Sequence, residues 1–209
     1  MQENQQTSGG KKRPLGKRFL FSDTLYGKSV AAKCAYVAVC VALLAVANTV
    51  LEFKMADTQF SFTTFFCVVT GVLLGPVFGF VAGFLGDLIG FIANSGGFIY
   101  YPWVGIAMGL SAFLGGVVFG VLPLPLKGIP SLIVRIVIVS LATFFICSVA
   151  INTTAYYFLY SGGRVSYLAY CVSRYIVKGQ LWVSLINYAL LFLTLPVLVK
   201  IKPLKIKIA

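Results

Sequence analysis

Long apolar runs constrain this chain more than any other feature. They follow one another along most of its 209 residues, of which 59% are hydrophobic. A helix needs roughly 20 apolar residues to cross the hydrocarbon core of a bilayer. The runs therefore predict an all-α membrane protein with six transmembrane helices. The predicted spans are residues 29–51, 60–74, 76–92, 103–122, 131–157 and 168–199.

The Lys and Arg residues predict how these spans are oriented. All but four of the 17 lie on one predicted side of the membrane. Positive residues accumulate in cytoplasmic loops, so we predict that both termini are cytoplasmic. The net charge of +12 is explained by this topology and by attraction to anionic lipid head groups, so nucleic acid is not a predicted partner. The four exceptions are Lys54, Arg164, Arg174 and Lys178.

The ends of the chain differ in composition from the apolar section between them. Residues 1–27 are polar and basic, and they are predicted to be a disordered cytoplasmic tail. Residues 28–200 are predicted to form the six-helix membrane domain. Residues 201–209 are predicted to be a second basic tail in the cytoplasm.

The polar residues exclude most enzyme classes. The chain has no histidine, and its five acidic residues include no pair at a spacing typical of metal ligands. Its five cysteines stand singly and are interpreted as small packing residues. No serine has an evident base. We therefore predict that the protein is not an enzyme and has no catalytic residue, metal or cofactor.

Asp87 is the carboxylate that lies well inside an apolar span. An ionisable group at that depth costs about 3 kcal/mol or more, so it usually faces a polar partner or a cavity. Two interpretations remain open at this stage. Asp87 either forms a hydrogen bond with a neighbouring helix or anchors a binding pocket.

Arg174 and Lys178 are cations near the predicted outer end of span six. They are four residues apart, so a continuous helix would place them on one face. Cations on this side indicate an anionic ligand that arrives from outside, and an Arg fork with a nearby Lys suits carboxylates. The alternative is that both side chains snorkel to lipid phosphates.

Amide and aromatic side chains near the same outer side complete the candidate site. Asn152 and Tyr156 form an i, i+4 pair at the end of span five. Tyr100, Tyr101 and Trp103 precede or begin span four. An interfacial aromatic belt explains some of these rings equally well, but it does not explain Asn152.

A stripe of small side chains runs along the first span. Ala31, Ala35, Ala38, Ala42 and Ala45 recur at steps of four and three, so they share one helical face. In lipid, such a face lets another helix approach closely. The partner is either another span of this chain or a separate membrane subunit.

Several of these segments resemble one family of transport proteins. FSFTTFFCVVTGVLLGPVFGFVAGFLGDLIGFI, followed by GGFIYYPWVGIAMGLSAFLGGVVFGVL, resembles the central section of the substrate-binding S components of energy-coupling factor (ECF) vitamin transporters. INTTAYYFLYSGG and SYLAYCVSRYIVKGQ resemble the folate-type members, which carry an Asn-Thr pair in span five and an Arg…Lys pair in span six. The resemblance covers residues 31–199. Ser184 stands where related sequences often have proline.

The resemblance implies a function and partners. An S component of this kind has six transmembrane helices and imports folate across the bacterial plasma membrane. It captures the vitamin at the outer face and works with a transmembrane coupling subunit and two cytoplasmic ATPases. This chain has no P-loop, which agrees with ATP hydrolysis elsewhere. Ala31, Ala35, Ala38 and Ala42 would dock the coupling subunit.

Folate also fits the candidate residues chemically. Its pterin ring suits Asn152, Asp87 and the tyrosine faces, and its two carboxylates suit Arg174 and Lys178. Pantothenate or another anionic metabolite remains an alternative substrate. A lipid-processing enzyme lacks a carboxylate cluster, and a purely structural membrane subunit does not account for the outer cations.

Overall fold

The computed structural model describes residues 15–55, 58–95, 99–126 and 128–201. Within these ranges, five helices are long and apolar enough to cross a membrane, and a sixth apolar helix is shorter. The prediction of an all-helical membrane protein is confirmed, while the cytoplasmic position of the termini stays a prediction. The long helices span Val30–Val50, Pro76–Ala93, Pro102–Gly120, Ile129–Ser161 and Gln180–Lys200, and the shorter one Thr63–Leu74.

The segment before the first span is folded from residue 15 onward, which differs from the predicted disordered tail. Helix α1 covers Leu15–Leu20, and Leu25 in the following turn is fully buried. The Ser22 N–H donates to the Leu74 carbonyl at 3.1 Å. This contact has a physical reason, because the last carbonyls of a helix lack partners within it. Residues 1–14 of the predicted tail lie outside the described residues.

A β-hairpin separates the first two spans. Ser29 precedes helix α2 (Val30–Val50) and caps it, because its side chain accepts from the Ala32 N–H. Strands β1 (Glu52–Met55) and β2 (Thr58–Ser61) then pair in antiparallel register. The second predicted span began at residue 60, but helix α3 (Thr63–Leu74) starts after the hairpin.

Glycines allow the next helices to pack closely. Helix α4 (Pro76–Ala93) follows α3 at the Gly75 break, where φ is +96°, and α5 (Pro102–Gly120) packs against both helices. A Cβ on Gly71 would lie 1.7 Å from the Ala112 carbonyl oxygen, so only glycine permits this approach of α3 to α5.

The last two spans contain wide π-helical turns. Helix α6 begins at Ile129, and the long helix that it opens ends at Ser161. The predicted sixth span, residues 168–199, is instead two helical pieces separated at Gly179, which has a left-handed φ of +74°. In order, the segments are α6 (Ile129–Ala142), π1 (Thr143–Thr153), α7 (Thr154–Tyr156), π2 (Tyr157–Ser161), α8 (Tyr167–Val172), π3 (Ser173–Val177) and α9 (Gln180–Lys200).

Two apolar clusters fill the spaces between these helices. One lies among α3, α5, α6 and α9 and includes Val68, Ile136 and Leu191. The other joins the turn after α1 to α2, α3, α4 and α5 and includes Leu25 and Leu44. The two clusters hold the helices around a separate polar cavity.

Candidate ligand-binding cavity

A polar cavity lies among the end of β2, the helices α3, α5, α7 and α9, and the π-helical segments π1 and π3. Its volume is about 110 Å³. Ligand pockets typically measure roughly 300–1,000 Å³, so a ligand of that size requires some lining side chains to move apart. The lining consists of Ser61, Thr64, Val104, Met108, Ser148, Asn152, Tyr156, Arg174, Gln180, Val183, Ser184, Asn187 and Tyr188.

Arg174 is the charged side chain in this lining. Its guanidinium carbon lies 4.7 Å from the ring centroid of Tyr156. Its Nε is buried and has no hydrogen-bond partner among the described residues. A buried donor without an acceptor is costly. The arrangement therefore suits a ligand that supplies an acceptor, above all an anionic one.

Asn152 and an aromatic wall stand beside the guanidinium. The Oδ1 of Asn152 is buried, and none of the described residues donates to it. Tyr101 and Trp103 stack with centroids 4.6 Å apart, and the Tyr156 ring meets both edge-on at 6.2 and 6.3 Å. The Trp103 Nε1 is also buried without a described partner. A ligand with a flat ring and polar edges suits these surroundings, because it can stack on the aromatic side chains and form hydrogen bonds at the same time.

Asp87 lies in a second polar cluster, away from this lining. It is 4% exposed, and its Oδ1 accepts from the Asn48 amide at 3.2 Å. Its Oδ2 accepts from the Tyr100 hydroxyl at 3.1 Å. Burial and the Asp87 carboxyl raise the pKa of the Tyr100 phenol well above its usual range, so the hydroxyl stays a donor at neutral pH. The structure therefore brings Asp87 and Tyr100 together, and neither is in the lining that contains Arg174.

Lys178 is also outside the lining. It is exposed and follows π3, immediately before the Gly179 break. The Lys178 N–H bonds the Ser173 carbonyl, five residues earlier, so this turn is wider than an α-helical turn. Arg174 lines the cavity and Lys178 does not, and the shared face of Arg174 and Lys178 stays a prediction.

The π-helical segments carry several of the lining residues. Ser148 and Asn152 lie on π1, and Arg174 lies on π3. π-Helical turns occur frequently at functional sites, where they aim side chains in directions that an α-helix does not reach. Sequence analysis identified Asn152 and Arg174 from the chemistry of their side chains. It did not predict the π-helical turns, because apolar sequences that form such turns carry no distinct pattern.

Sequence analysis missed most of the uncharged polar lining. Asn187 and Tyr188 lie deep in α9, Ser61 ends β2, and Thr64 lies in the first turn of α3. Asn187 was missed, although an amide within an apolar span is a signal that could have identified it. Hydroxyl residues give no comparable signal, because Ser and Thr also bond locally to helix carbonyls.

The alanine stripe of α2 faces away from the protein. Ala31, Ala35, Ala38 and Ala42 are all exposed, whereas the opposite face buries Cys40 and other side chains. The stripe therefore does not pack against another helix within the described part of the chain. The described residues also contain no group of three or more His, Cys, Asp or Glu side chains placed to hold a metal.

A family model described as "ECF-type riboflavin transporter, S component" matches residues 28–199. The match extends from just before α2 to the end of α9. The chain belongs to this family of S components. An S component is a non-catalytic, substrate-binding subunit of a vitamin transporter, so the prediction that the protein is not an enzyme is confirmed. Membership of this family also implies a vitamin as substrate and the other ECF subunits as partners.

The fold of this S component is similar to that in a solved structure, "Crystal structure of FolT bound with folic acid". The TM-score is 0.58, the sequence identity is 16%, and the match covers 77% of this chain and 87% of that chain. At this identity the similarity concerns the fold alone. Among curated proteins, no sequence matches this chain.

Proposed function

We propose that this S component captures folate at the outer face of a bacterial plasma membrane and passes it to a coupling subunit driven by two ATPases. Both termini lie in the cytoplasm in this proposal, so the cavity lies toward the outside. The charge distribution supports this orientation, since all but four Lys and Arg residues then lie on the inner side.

Arg174 is the observation that carries the substrate assignment. Its guanidinium borders an otherwise uncharged lining, and its buried Nε has no acceptor among the described residues. A ligand carboxylate would provide that acceptor and neutralise the charge. Folate carries two carboxylates on its glutamate tail. Lys178, which is long and exposed, is proposed to reach the second one once the ligand is bound.

The pterin ring is assigned to the aromatic wall. It would lie against Tyr156 or Tyr101, with its amide edge directed toward Asn152. Asp87 and Tyr100 are proposed to support this wall from behind, because their mutual hydrogen bond fixes the segment that leads into α5.

The exposed alanines of α2 are proposed to dock the coupling subunit. Ala31, Ala35, Ala38 and Ala42 leave a surface without bulky side chains on a helix of spanning length. Two helices in lipid gain dispersion contacts when small residues let their backbones approach. A partner helix would therefore pack along this face.

Riboflavin is the second candidate, because the matching family model bears its name. The hydroxyl-rich part of the lining, which includes Ser61, Thr64 and Tyr188, would suit a polyhydroxylated chain. Riboflavin carries no carboxylate, however, so it would give Arg174 only a neutral acceptor. Arg174 therefore favours folate.

Mass spectrometry of the protein purified in detergent tests this assignment without supplying a ligand. A tightly bound vitamin is expected to survive purification and to be released on denaturation. Folate or a reduced folate in the released fraction would support the proposal. Riboflavin or pantothenate released in its place would reassign the substrate within the family.

A further inference from the structure

Asn187 in α9 forms hydrogen bonds that join three separate parts of the chain. It is 1% exposed, and its Oδ1 accepts from the Phe65 N–H of α3 at 3.0 Å. Its Nδ2 donates to the Ser61 carbonyl at 2.8 Å and to the Val183 carbonyl at 2.9 Å. Ser61 and Phe65 are more than 120 residues away in sequence, so the contact is fully tertiary.

The orientation of the Asn187 amide follows from its partners. Its oxygen faces a backbone N–H, and its nitrogen faces two backbone carbonyls. The flipped amide would place donor against donor and acceptor against acceptor, which is unfavourable for buried groups. Both N–H groups of the amide are therefore committed to the protein and are not available to donate to a ligand.

Asn187 also replaces a missing helix cap. The residue that precedes α3 is Phe62, whose side chain makes no capping hydrogen bond. The first N–H groups of a helix need acceptors from outside the helix. The Ser61 hydroxyl accepts from the Thr63 N–H at 3.2 Å, and Asn187 accepts from the Phe65 N–H. The start of α3 is thus capped partly by α9.

The capped segment forms one wall of the cavity. Ser61 and Thr64 line the cavity on the α3 side, while Val183, Ser184 and Asn187 line it on the α9 side. The hydrogen bonds of Asn187 are the described polar contacts that tie these two walls to each other. The hydrogen bonds of the Asn187 amide therefore set the spacing between the two walls that a ligand would contact.

We propose that Asn187 is a positioning residue for the ligand cavity, which holds the hairpin end and the first turn of α3 at a fixed distance from α9. It acts through Ser61 and Thr64 and not by contacting the ligand with its own N–H groups. This inference rests on the proposed function, because folic acid is the first probe of the cavity.

The test compares two conservative variants in α9. Asn187→Ser removes the hydrogen bonds to α3 and to the hairpin. The introduced hydroxyl can still donate to the Val183 carbonyl four residues earlier, as the Ser184 hydroxyl donates to the Gln180 carbonyl. Thr194→Val is the matched control, since the Thr194 hydroxyl bonds the Leu190 carbonyl within the same helix. Asn187→Ser should weaken folic acid binding by about tenfold or more and raise the dissociation rate, whereas Thr194→Val should bind as wild type.

A double-mutant cycle with Thr64→Val separates positioning from simple stabilisation. If Asn187 positions Thr64, the loss caused by Thr64→Val should shrink when Asn187→Ser is already present. Unchanged folic acid affinity in Asn187→Ser, with only a lower melting temperature, would overturn the inference. So would fully additive losses in the cycle. If wild type binds riboflavin and not folic acid, the proposed function fails, and the same variants titrated with riboflavin still test Asn187.

Discussion

At the scale of single residues, the buried polar atoms fall into two groups. Asp87 and Asn187 have protein partners for their side chains. Arg174 Nε, Asn152 Oδ1 and Trp103 Nε1 are buried without a hydrogen-bond partner among the described residues. Ser140 Oγ and Ser161 Oγ are also without such a partner, but they lie outside the cavity lining. Native proteins rarely leave such atoms unpaired, so the two atoms in the lining, on Arg174 and Asn152, support the proposed ligand site.

Sequence analysis selected members of both groups but could not separate them. Sequence analysis selected Asp87 because it is a carboxylate within an apolar run. Its hydrogen-bond partner Asn48, however, lies 39 residues away in the sequence. Whether a polar side chain is satisfied depends on such distant contacts, which residue type and spacing do not encode. Arg174 and Asn152 were found because their chemistry is unusual at the predicted outer end of a span.

The role of Arg174 predicts a specific loss of affinity. Arg174→Ala should weaken folic acid binding by about 2–5 kcal/mol, because a buried carboxylate would lose its charged partner. Arg174→Lys should restore only part of this affinity, since Lys lacks the bidentate fork. Calorimetric titration of the purified variants measures both effects. Arg164→Ala is the matched control, because Arg164 is exposed and lies outside the cavity lining.

A truncated ligand identifies what Arg174 binds. 6-Hydroxymethylpterin, which carries no carboxylate, should bind wild type weakly and be almost indifferent to Arg174→Ala. Equal losses for folic acid and 6-hydroxymethylpterin would show that Arg174 does not receive the tail carboxylates. A lower thermal stability with unchanged affinity would instead indicate snorkelling to lipid.

At the scale of elements, the apolar runs predicted the helices well where the helices are regular. The boundaries at Pro76 and near Gly120 follow the sequence closely, because Pro favours a first helical turn and Pro123 cannot continue the helix that ends at Gly120. The break at Gly179 was not predicted, since one glycine in an apolar run does not reveal whether its φ is positive. The β1–β2 hairpin was missed because each strand is only four residues long, too short for its alternation to stand out.

The contact of α3 with α5 predicts a strong effect of one added methyl group. Gly71→Ala should lower the melting temperature sharply, because the new Cβ would lie 1.7 Å from the Ala112 carbonyl oxygen and 2.9 Å from the Gly116 nitrogen. Overpacking of this kind typically costs about 1–3 kcal/mol, and backbone atoms cannot swing aside as a side chain can.

Gly120→Ala is the matched control for this contact. Gly120 ends α5, and a Cβ there would meet nothing within 4 Å. Thermal unfolding of both variants in the same detergent measures the difference. A Gly71→Ala protein as stable as Gly120→Ala would contradict the close packing of α3 and α5.

At the scale of the whole molecule, the exposed alanine face of α2 predicts how the S component meets its coupling subunit. Ala38→Trp should block assembly and uptake by holding the partner helix away, while folic acid binding by the isolated protein survives. Leu141→Trp is the control, since Leu141 is an exposed side chain on α6 that is already large. Co-purification with the coupling subunit measures assembly. Normal assembly of Ala38→Trp would place the docking surface elsewhere.

The central claim is that this S component recognises a carboxylated vitamin, and one measurement tests it most directly. Calorimetric titration of the wild-type protein, freed of copurified ligand, compares folic acid with riboflavin under identical conditions. The account predicts saturable binding of folic acid that is clearly tighter than binding of riboflavin, because only folic acid supplies an anion to Arg174. Tight binding of riboflavin with no detectable binding of folic acid would contradict it.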